Sequence, residues 1–465
     1  MTGVIMQRVI GLALATFAFS SLSGVPAVAT VTNSRSDFDQ GSQRTSIDVA
    51  ALLTAARGAP PMICSLAASS VGNGWGGWND APFTPLAASS TPLTYRDRDW
   101  RNFSTEDVQR LYAGLSSDDA CVRELSVRLI GTQKAETVSG ELLTRLGSGD
   151  ASLRAIAALG LGLVEAPTAV DPLIRTLRDA TVEVRANSAW ALGRIENGRA
   201  LNPLMNLFSD DAEQVRVAAI AAVGHMESTA AVPALIRVVR QDNSPNVRRV
   251  AAWALGHIEA REAVPALMES LGRDSDSRVR EMAAWALGNI EDTRGVAALG
   301  NAIRGDSEDR VRETAVWALG NIGDHSSIGI LDAATSDRSS NVRGTAAWAL
   351  GQMDENGTRA PAGLLRLLSD ENTDTRLKAA WALGQLEDRN AISAIRDALK
   401  SERNDRVRKA LIRALMKSGE SSEATLTELL SSSDPQVREA AVRGLAGARS
   451  FDPWPWPWPR PRPFP

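Results

Sequence analysis

The sequence predicts an all-α protein, a right-handed α-solenoid of about eleven two-helix repeats. The phrase Ala-Ala-Trp-Ala-Leu-Gly occurs at 251–256, 283–288, 346–351 and 379–384, with close variants at 188–193 and 314–320. An arginine five residues before the tryptophan sets a register that recurs every 30 to 33 residues. The register arginines are Arg123, Arg154, Arg185, Arg216, Arg248, Arg280, Arg312, Arg343, Arg376, Arg408 and Arg438. Self-similarity at this period is typical of stacked structural repeats.

Each repeat contains two amphipathic helices joined by tight turns. In the unit that contains Arg248, apolar residues such as Val247, Ala251 and Leu255 recur at helical spacing, which predicts a first helix over 246–258. A short polar turn follows, and residues 263–271 form the second helix. Because a lone helical pair cannot bury its apolar face, we expect the units to stack on one another.

Four segments follow from composition along the chain. Residues 1–29 are predicted to be an export signal peptide, with Arg8, an apolar stretch from Val9 to Leu22, and small residues up to a cleavage site after Ala29. An uncleaved anchor is the alternative. Residues 30–100 are polar or rich in Gly, Ser and Pro and are predicted to be flexible and loop-rich. Residues 101–449 form the repeat array, and 450–465 a disordered Pro/Trp-rich tail.

The two cysteines, Cys64 and Cys121, leave two alternatives open. An exported protein with an even number of cysteines favours a disulfide. Two buried free thiols are equally compatible with the spacing.

The repeat resembles the HEAT repeat family, specifically the short subtype named after phycobilisome lyase subunits. The resemblance is carried by the Val-Arg pair, the glycine eight residues after the arginine, and Val-Pro-Ala-Leu in the second helix at 232–235 and 264–267. It covers about three quarters of the chain. The last two repeats depart from the pattern, since Met416 and Ala446 replace the glycine. A terminal cap whose outer face contacts water accounts for that change.

An aspartate six residues before the arginine recurs in seven repeats. The HEAT resemblance implies that this aspartate and arginine bond across the loop between helices and join successive units. A carboxylate at a helix N-terminus also accepts backbone N–H groups. The interpretation is therefore a structural ladder rather than a row of catalytic carboxylates. Its members are Asp179, Arg185, Asp210, Arg216, Asp242, Arg248, Asp274, Arg280, Asp306, Arg312, Asp337, Arg343, Asp370 and Arg376.

Six tryptophans share one repeat position on the flank of the first helix, away from the centre of its apolar face. One interpretation is packing between neighbouring first helices; the other is an aromatic row that binds a partner. These residues are Trp190, Trp253, Trp285, Trp317, Trp348 and Trp381. Glycine recurs three residues after the tryptophan, although it lowers helix stability by about 1 kcal/mol. We expect close approach of the paired helix to require it.

No catalytic, cofactor-binding or metal site is predicted. The chain has three histidines and lacks a nucleophile elbow, a phosphate-binding loop or a cluster of metal ligands. The near balance of 51 basic and 55 acidic residues argues against nucleic-acid binding, which needs a basic stripe. We therefore do not expect an enzyme.

Charged side chains of the second helices offer a binding surface. Arg175, Arg178, Arg237 and Arg240 make the N-terminal half of this surface basic, which suits an acidic partner segment. At the turn between helices a row of acids, from Glu196 to Glu387, forms either a solvated rim or an acidic docking edge.

The tail alternates proline with Trp454, Trp456 and Trp458, followed by arginines. Proline at every second position excludes helix and sheet and favours an extended chain. Three interpretations stay open: contact with a membrane surface, a ligand for an aromatic-lined groove, or a tail without a selected role.

The sequence thus predicts a non-catalytic protein-interaction scaffold or regulatory module, exported to the periplasm or secreted, that binds another protein or peptide. Two alternatives follow from resemblances. One is an accessory or sensor partner of an envelope metallopeptidase of the penicillin-sensing type, whose HEAT arrays follow a Gly-Trp segment like residues 73–78. The other is a chromophore-attachment factor that resembles bilin lyases, against which export argues.

Overall fold

The computed structural model describes residues 47–61, 63–64, 103–353, 359–419, 427, 429–432 and 435–445. Within these residues the secondary structure is helical, with short 3₁₀ turns and no strand. The predicted signal peptide, most of the segment 30–100 and the tail with Trp454, Trp456 and Trp458 lie outside the described residues. Among the helices of the described residues, none combines the length and the apolar character needed to cross a bilayer.

Twenty-two α-helices are described, and those from α3 to α21 alternate as first and second helices of successive repeats. They are α1 (Val49–Ala56), α2 (Thr105–Leu115), α3 (Ala120–Ile130), α4 (Ala135–Leu146), α5 (Ala151–Leu163), α6 (Val170–Thr176), α7 (Val182–Ile195), α8 (Leu201–Asn206), α9 (Glu213–His225), α10 (Val232–Gln241), α11 (Pro245–His257), α12 (Val264–Arg273), α13 (Ser277–Ile290), α14 (Val296–Gly305), α15 (Asp309–Ile322), α16 (Ile328–Ala334), α17 (Ser340–Gln352), α18 (Ala362–Arg366), α19 (Thr373–Leu386), α20 (Ile392–Ser401), α21 (Asp405–Lys417) and α22 (Pro435–Leu445).

The first helices are the odd-numbered helices from α3 to α21, together with α22. The second helices are the even-numbered helices from α4 to α20. Consecutive first helices pack against each other along the array, and each second helix packs on the first helix that follows it. The prediction of an α-solenoid is confirmed, because every helix buries its apolar face against sequence neighbours rather than around one central core.

Helix capping explains the sharp boundaries between the helices. Ser244 accepts a hydrogen bond from the backbone N–H of Val247 at the start of α11, and proline follows as the first helical residue. At the other end of the first helices, a recurring glutamate adopts the left-handed backbone conformation, with φ between 49° and 54°. These residues are Glu165, Glu196, Glu227, Glu259, Glu291 and Glu387.

The recurring glycine of the first helix allows the next first helix to approach. A Cβ atom on Gly288 would lie 2.8 Å from the Cα atom of Ala318 and 2.9 Å from the Cζ3 atom of Trp317. The expectation of close approach by the paired second helix was therefore wrong. The neighbour is the first helix one repeat later, because consecutive first helices stack directly against each other.

A disulfide joins Cys64 to Cys121 and resolves the alternative that the sequence left open. It connects the segment after α1 to the first turn of α3. Cys64 is fully buried with Ala56, Val122 and Leu125 in a small apolar cluster. The cross-link fixes the N-terminal helix to the start of the array across a loop of 57 residues.

Candidate protein-binding surface

The loops between the second helix and the following first helix form a ladder of ion pairs. Arg248 donates from Nε and Nη2 to the two carboxylate oxygens of Asp274, at 2.7 and 2.8 Å. Its third nitrogen, Nη1, donates to the backbone carbonyl of Asp242 at 2.9 Å. The arginine thus binds the backbone of its own loop and the carboxylate of the next loop. This bidentate geometry matches the planar guanidinium to the carboxylate.

We expected each aspartate to bond to the arginine six residues later. The structure shows a different pairing. That arginine contacts only the backbone carbonyl of the aspartate, while the carboxylate pairs with the arginine of the preceding repeat. The rungs run Arg154–Asp179, Arg185–Asp210, Arg216–Asp242, Arg248–Asp274, Arg280–Asp306, Arg312–Asp337, Arg343–Asp370 and Arg376–Glu402. The residues of one pair lie 25 to 27 positions apart.

Two rungs were absent from the sequence prediction. Arg154 begins the ladder and Glu402 ends it, and both side chains lie at the expected register positions. Both residues could have been found from the sequence, since Arg154 belongs to the arginine register and Glu402 precedes Arg408 by six residues. Glutamate replaces aspartate at the last rung and still accepts the backbone N–H of Asn404.

The ladder stabilises the charged forms of its members. The hydrogen bond from Arg154 holds the pKa of Asp179 below its usual value, although partial burial acts in the opposite direction. In the same way, the hydrogen bond to Asp274 raises the pKa of Arg248. Each carboxylate also accepts a backbone N–H two residues further on, as Asp274 does from Asp276 at 3.0 Å. The role of these residues is therefore to join repeats.

The tryptophan rings lie between neighbouring first helices. Trp190, Trp253, Trp348 and Trp381 are only 3–6% exposed, and Trp285 and Trp317 are half-buried. The Cζ3 atom of each ring lies against the glycine of the preceding first helix, as Trp348 does at Gly320. The geometry favours packing over partner binding for the four buried rings, because a ring enclosed by two helices offers no surface to a ligand.

The exposed surface of the second helices carries two rows of side chains that we call the basic rows. Each of the second helices from α6 to α20 has one fully buried leucine or isoleucine that serves as the reference position. The first row holds the residues two positions after it, and the second row the residues five positions after it. All sixteen residues are exposed. The first row is Arg175, Asn206, Arg237, Glu269, Asn301, Ala333, Arg366 and Asp397. The second row is Arg178, Ser209, Arg240, Gly272, Arg304, Ser336, Ser369 and Lys400.

The basic rows carry seven cationic and two anionic side chains, although the whole chain has a net charge of −4. Arg240 pairs with Glu269, and Lys400 with Asp397. Four other arginines of the rows make no hydrogen bond or ion pair through their side chains with any residue that the structure describes: Arg175, Arg178, Arg237 and Arg366. Positive charge thus accumulates along the basic rows, where Arg240 and Lys400 are the two cations that pair with a described carboxylate.

Negative charge accumulates at the opposite turn, where the left-handed glutamates lie. Two of them form ion pairs with the next repeat, Glu165 with Arg194 and Glu387 with Lys417. A carboxylate oxygen of Glu227 lies 3.5 Å from Nε2 of His257, an imidazole whose pKa is lowered by burial. Asp354, a member of the predicted row of acids from Glu196 to Glu387, lies outside the described residues. The two edges of the array therefore differ in sign of charge, with unpaired cations on the second helices.

Comparison with known proteins agrees with this repeat architecture. The family model described as HEAT repeats matches residues 139–224, 172–244, 201–288, 232–320, 296–366 and 360–446, which together span most of the chain. The chain belongs to the HEAT-repeat family. No curated protein matches this HEAT-repeat chain.

Solved structures share the HEAT fold at low sequence identity. Importin beta in an ammonium sulfate condition is similar with a TM-score of 0.54 and 14% identity, over 70% of this chain and 52% of that one. Kap95p, solved in a study of its binding to RanGDP, gives a TM-score of 0.52 and 15% identity, over 74% and 56% of the two chains. The HEAT-repeat chain thus spans about half the length of these two proteins, and the likeness shows the fold alone.

Histidines of the HEAT array form an aromatic cluster rather than a metal site. The ring of His257 stacks on Trp253 at a centroid distance of 5.2 Å, and the ring of His225 lies edge-on to Trp253 at 5.0 Å. The two imidazole centroids are 6.1 Å apart, closer than the 8–10 Å expected from helix spacing. No group of three or more metal-ligating side chains occurs among the described residues.

A partly buried group of polar side chains, Glu313, Thr345 and Lys378, spans three successive first helices. The hydroxyl of Thr345 lies 3.4 Å from a carboxylate oxygen of Glu313. The side chain of Lys378 passes over Gly344, and its Nζ atom would lie 3.2 Å from a Cβ atom built on that glycine. Burial raises the pKa of Glu313 to about 7, and the nearby Lys378 opposes that shift. Burial also lowers the pKa of Lys378.

This environment predicts a pH-dependent loss of stability. Folding raises the pKa of Glu313 from 4.5 to about 7. The contribution of this carboxyl group to the free energy of unfolding is therefore fully present below pH 4.5 and is lost as the pH rises through 7. We expect Glu313→Gln to raise the free energy of unfolding by about 1–3 kcal/mol at pH 8 and by less at pH 5. Urea unfolding at both pH values measures this, with Glu262→Gln at an exposed acid as the control. An equal effect at both pH values contradicts the prediction.

Proposed function

We propose that this HEAT-repeat protein is a non-catalytic scaffold that binds an acidic segment of another protein along its basic rows. The observation that carries the proposal is the set of unpaired, exposed arginines Arg175, Arg178, Arg237 and Arg366. Elsewhere in the array, arginines such as Arg248 and Arg280 are held by carboxylates. Exposed cations aligned along successive repeats attract an extended anionic partner and fix its position.

The repeat architecture supports binding of a long partner. Each repeat adds a similar increment of surface, so modest contacts sum over many repeats without a deep pocket. The solved HEAT proteins include one studied for its binding to RanGDP, which is a property of that protein. For the present chain it is the charge of the second helices that points to an acidic partner.

We also propose that the protein acts outside the cytosol, in the periplasm or as a secreted protein. The Cys64–Cys121 disulfide supports this location, because such bonds persist in oxidising compartments. The apolar stretch from Val9 to Leu22 has the length of an export signal.

Selection from a displayed library of 16-residue segments tests the proposed function. We expect the enriched segments to be acidic, and we expect their affinity for the full chain to fall with added salt. The triple variant Arg175→Glu, Arg178→Glu, Arg237→Glu should weaken binding at least tenfold, which corresponds to about 1.4 kcal/mol.

The matched control reverses three exposed arginines away from the basic rows: Arg110→Glu, Arg261→Glu and Arg278→Glu. This control changes the net charge by the same amount and should keep most of the affinity. Enriched segments without acidic residues, or equal losses in both triple variants, contradict the proposal.

A further inference from the structure

We infer that two adjacent clefts between second helices bind apolar side chains of the acidic partner segment, spaced three residues apart. This inference rests on the proposed function and names a site within it. The clefts lie between α12 and α14 and between α14 and α16, next to positions of the basic rows.

The first cleft has a volume of about 490 Å³. Its apolar wall includes Met268 and Leu271 of α12 and Ala298 and Ala302 of α14. The ladder residues Asp274, Arg280 and Asp306 form a polar wall. Arg273 lies at its edge, exposed and without a hydrogen bond or ion pair from its side chain to any described residue. Because Arg248 and Arg280 pair with the carboxylates of Asp274 and Asp306, the cleft offers an apolar wall beside the available cation Arg273.

The second cleft has a volume of about 240 Å³ and lies one repeat further along. Ile303 of α14 and Ile330 and Ala333 of α16 line it, together with Asp337, which pairs with Arg312 of the ladder. Arg304 lies at its edge and donates one hydrogen bond to Asn301. Each cleft therefore combines the same two elements, an apolar wall and an arginine. An apolar side chain flanked by acids complements both elements at once.

Small residues open these clefts. At Gly272 the basic row lacks a side chain, whereas the equivalent position in α10 carries Arg240. A Cβ atom added to Gly272, or to Gly329 in the second cleft, would meet no atom within 4 Å. Both positions can therefore accept a larger side chain that fills the cleft without displacing the helices.

The distance between the clefts determines which backbone conformation and residue spacing of the ligand can reach both. Neighbouring packed helices lie about 8–10 Å apart, so the two clefts are separated by roughly that distance. A polyproline II chain advances about 3.1 Å per residue and returns to the same side every third residue, or about 9.3 Å. Apolar residues at positions i and i+3 of such a segment reach both clefts.

The charge of the basic rows favours a segment of a partner protein, rather than the chain's own tail, as the ligand of the two clefts. The tail carries Arg460 and Arg462, which the basic rows repel, and its tryptophans repeat every second residue. An acidic segment of a partner protein satisfies both the charge and the spacing.

Peptide binding to the full chain tests the inference. The probe is an acidic octapeptide with leucine at positions 3 and 6 and glutamate or proline elsewhere; a second peptide has leucine at positions 3 and 5, and a third has glycine in place of both leucines. We expect the first to bind the wild-type protein at least tenfold more tightly than the other two. The double variant Gly272→Met, Gly329→Met should remove this preference.

The matched control is Gly140→Met, an exposed glycine of α4 at which an added Cβ also meets no atom within 4 Å. It should leave the preference unchanged, and circular dichroism checks that each variant keeps its helices. Equal binding of the three peptides to the wild type, or an unchanged preference in the double variant, overturns the inference. If acidic peptides still bind through Arg175, Arg178 and Arg237, the proposed function survives that result. If no acidic peptide binds at all, both proposals fail.

Discussion

Trp348→Ala is expected to lower the free energy of unfolding by about 3–5 kcal/mol, the range for removing a large aromatic side chain from a core. The ring is 3% exposed and fills the space between α15 and α17, where it contacts Gly320. Deleting it leaves a cavity between two first helices and weakens the interface between neighbouring repeats, on which the stability of a repeat array depends. Thermal and urea unfolding, followed by circular dichroism, measure the loss.

Trp285→Ala is the matched comparison, since this ring occupies the same repeat position and is only half-buried. We expect it to destabilise the protein less than Trp348→Ala. The alternative role of the tryptophans is tested in the same variants, because a ring that binds a partner would affect binding without affecting unfolding. Such a result for Trp348 would contradict the packing interpretation.

Asp306→Ala is expected to lower the free energy of unfolding by about 3 kcal/mol, the lower end of the range for removing one partner of a buried ion pair. The change removes both hydrogen bonds from Arg280, at 2.7 and 3.0 Å, and the acceptor for the backbone N–H of Glu308. The Arg280 and Asp306 side chains are 15% and 7% exposed, so the guanidinium loses its partner where water replaces it poorly.

The control for the ladder is Asp171→Ala. Asp171 pairs with Arg199 of the next repeat at 3.0 Å, and both side chains are 60% exposed. An exposed pair of this kind contributes less than about 1 kcal/mol. Hydrogen exchange should show faster opening of α13 and α15 in Asp306→Ala than in the control. Similar losses of stability in the two variants contradict a structural role for the ladder.

Much of the fold could be predicted from residues of a single repeat. Helix pairs, their polar turns and the register of Arg248 follow from spacing within about thirty residues, because helical periodicity and capping are local properties. Most of the ladder residues also followed from this register, with the exception of Arg154 and Glu402. The partners within the ladder did not, since Asp274 binds an arginine 26 residues earlier, and only the stacking of loops brings the two together.

The candidate binding surface was predicted in part. The basic character of Arg175, Arg178, Arg237 and Arg240 was evident from the sequence. That Arg240 pairs with Glu269 while the other three have no partner among the described residues depends on where every neighbouring carboxylate lies. The clefts were not predicted, because an opening between helices depends on the side chains of both helices and on their separation.

The sequence by itself determined that this protein is a HEAT-repeat α-solenoid, because each repeat carries its own helix periodicity, caps and register residues. The tertiary structure decided which residues meet between repeats: the burial of Trp348 against Gly320, the pairing of Arg248 with Asp274, and the bond between Cys64 and Cys121. Such contacts arise from the rotation and spacing of one repeat on the next, and these quantities are set by packing over the whole helix surface rather than by any one position.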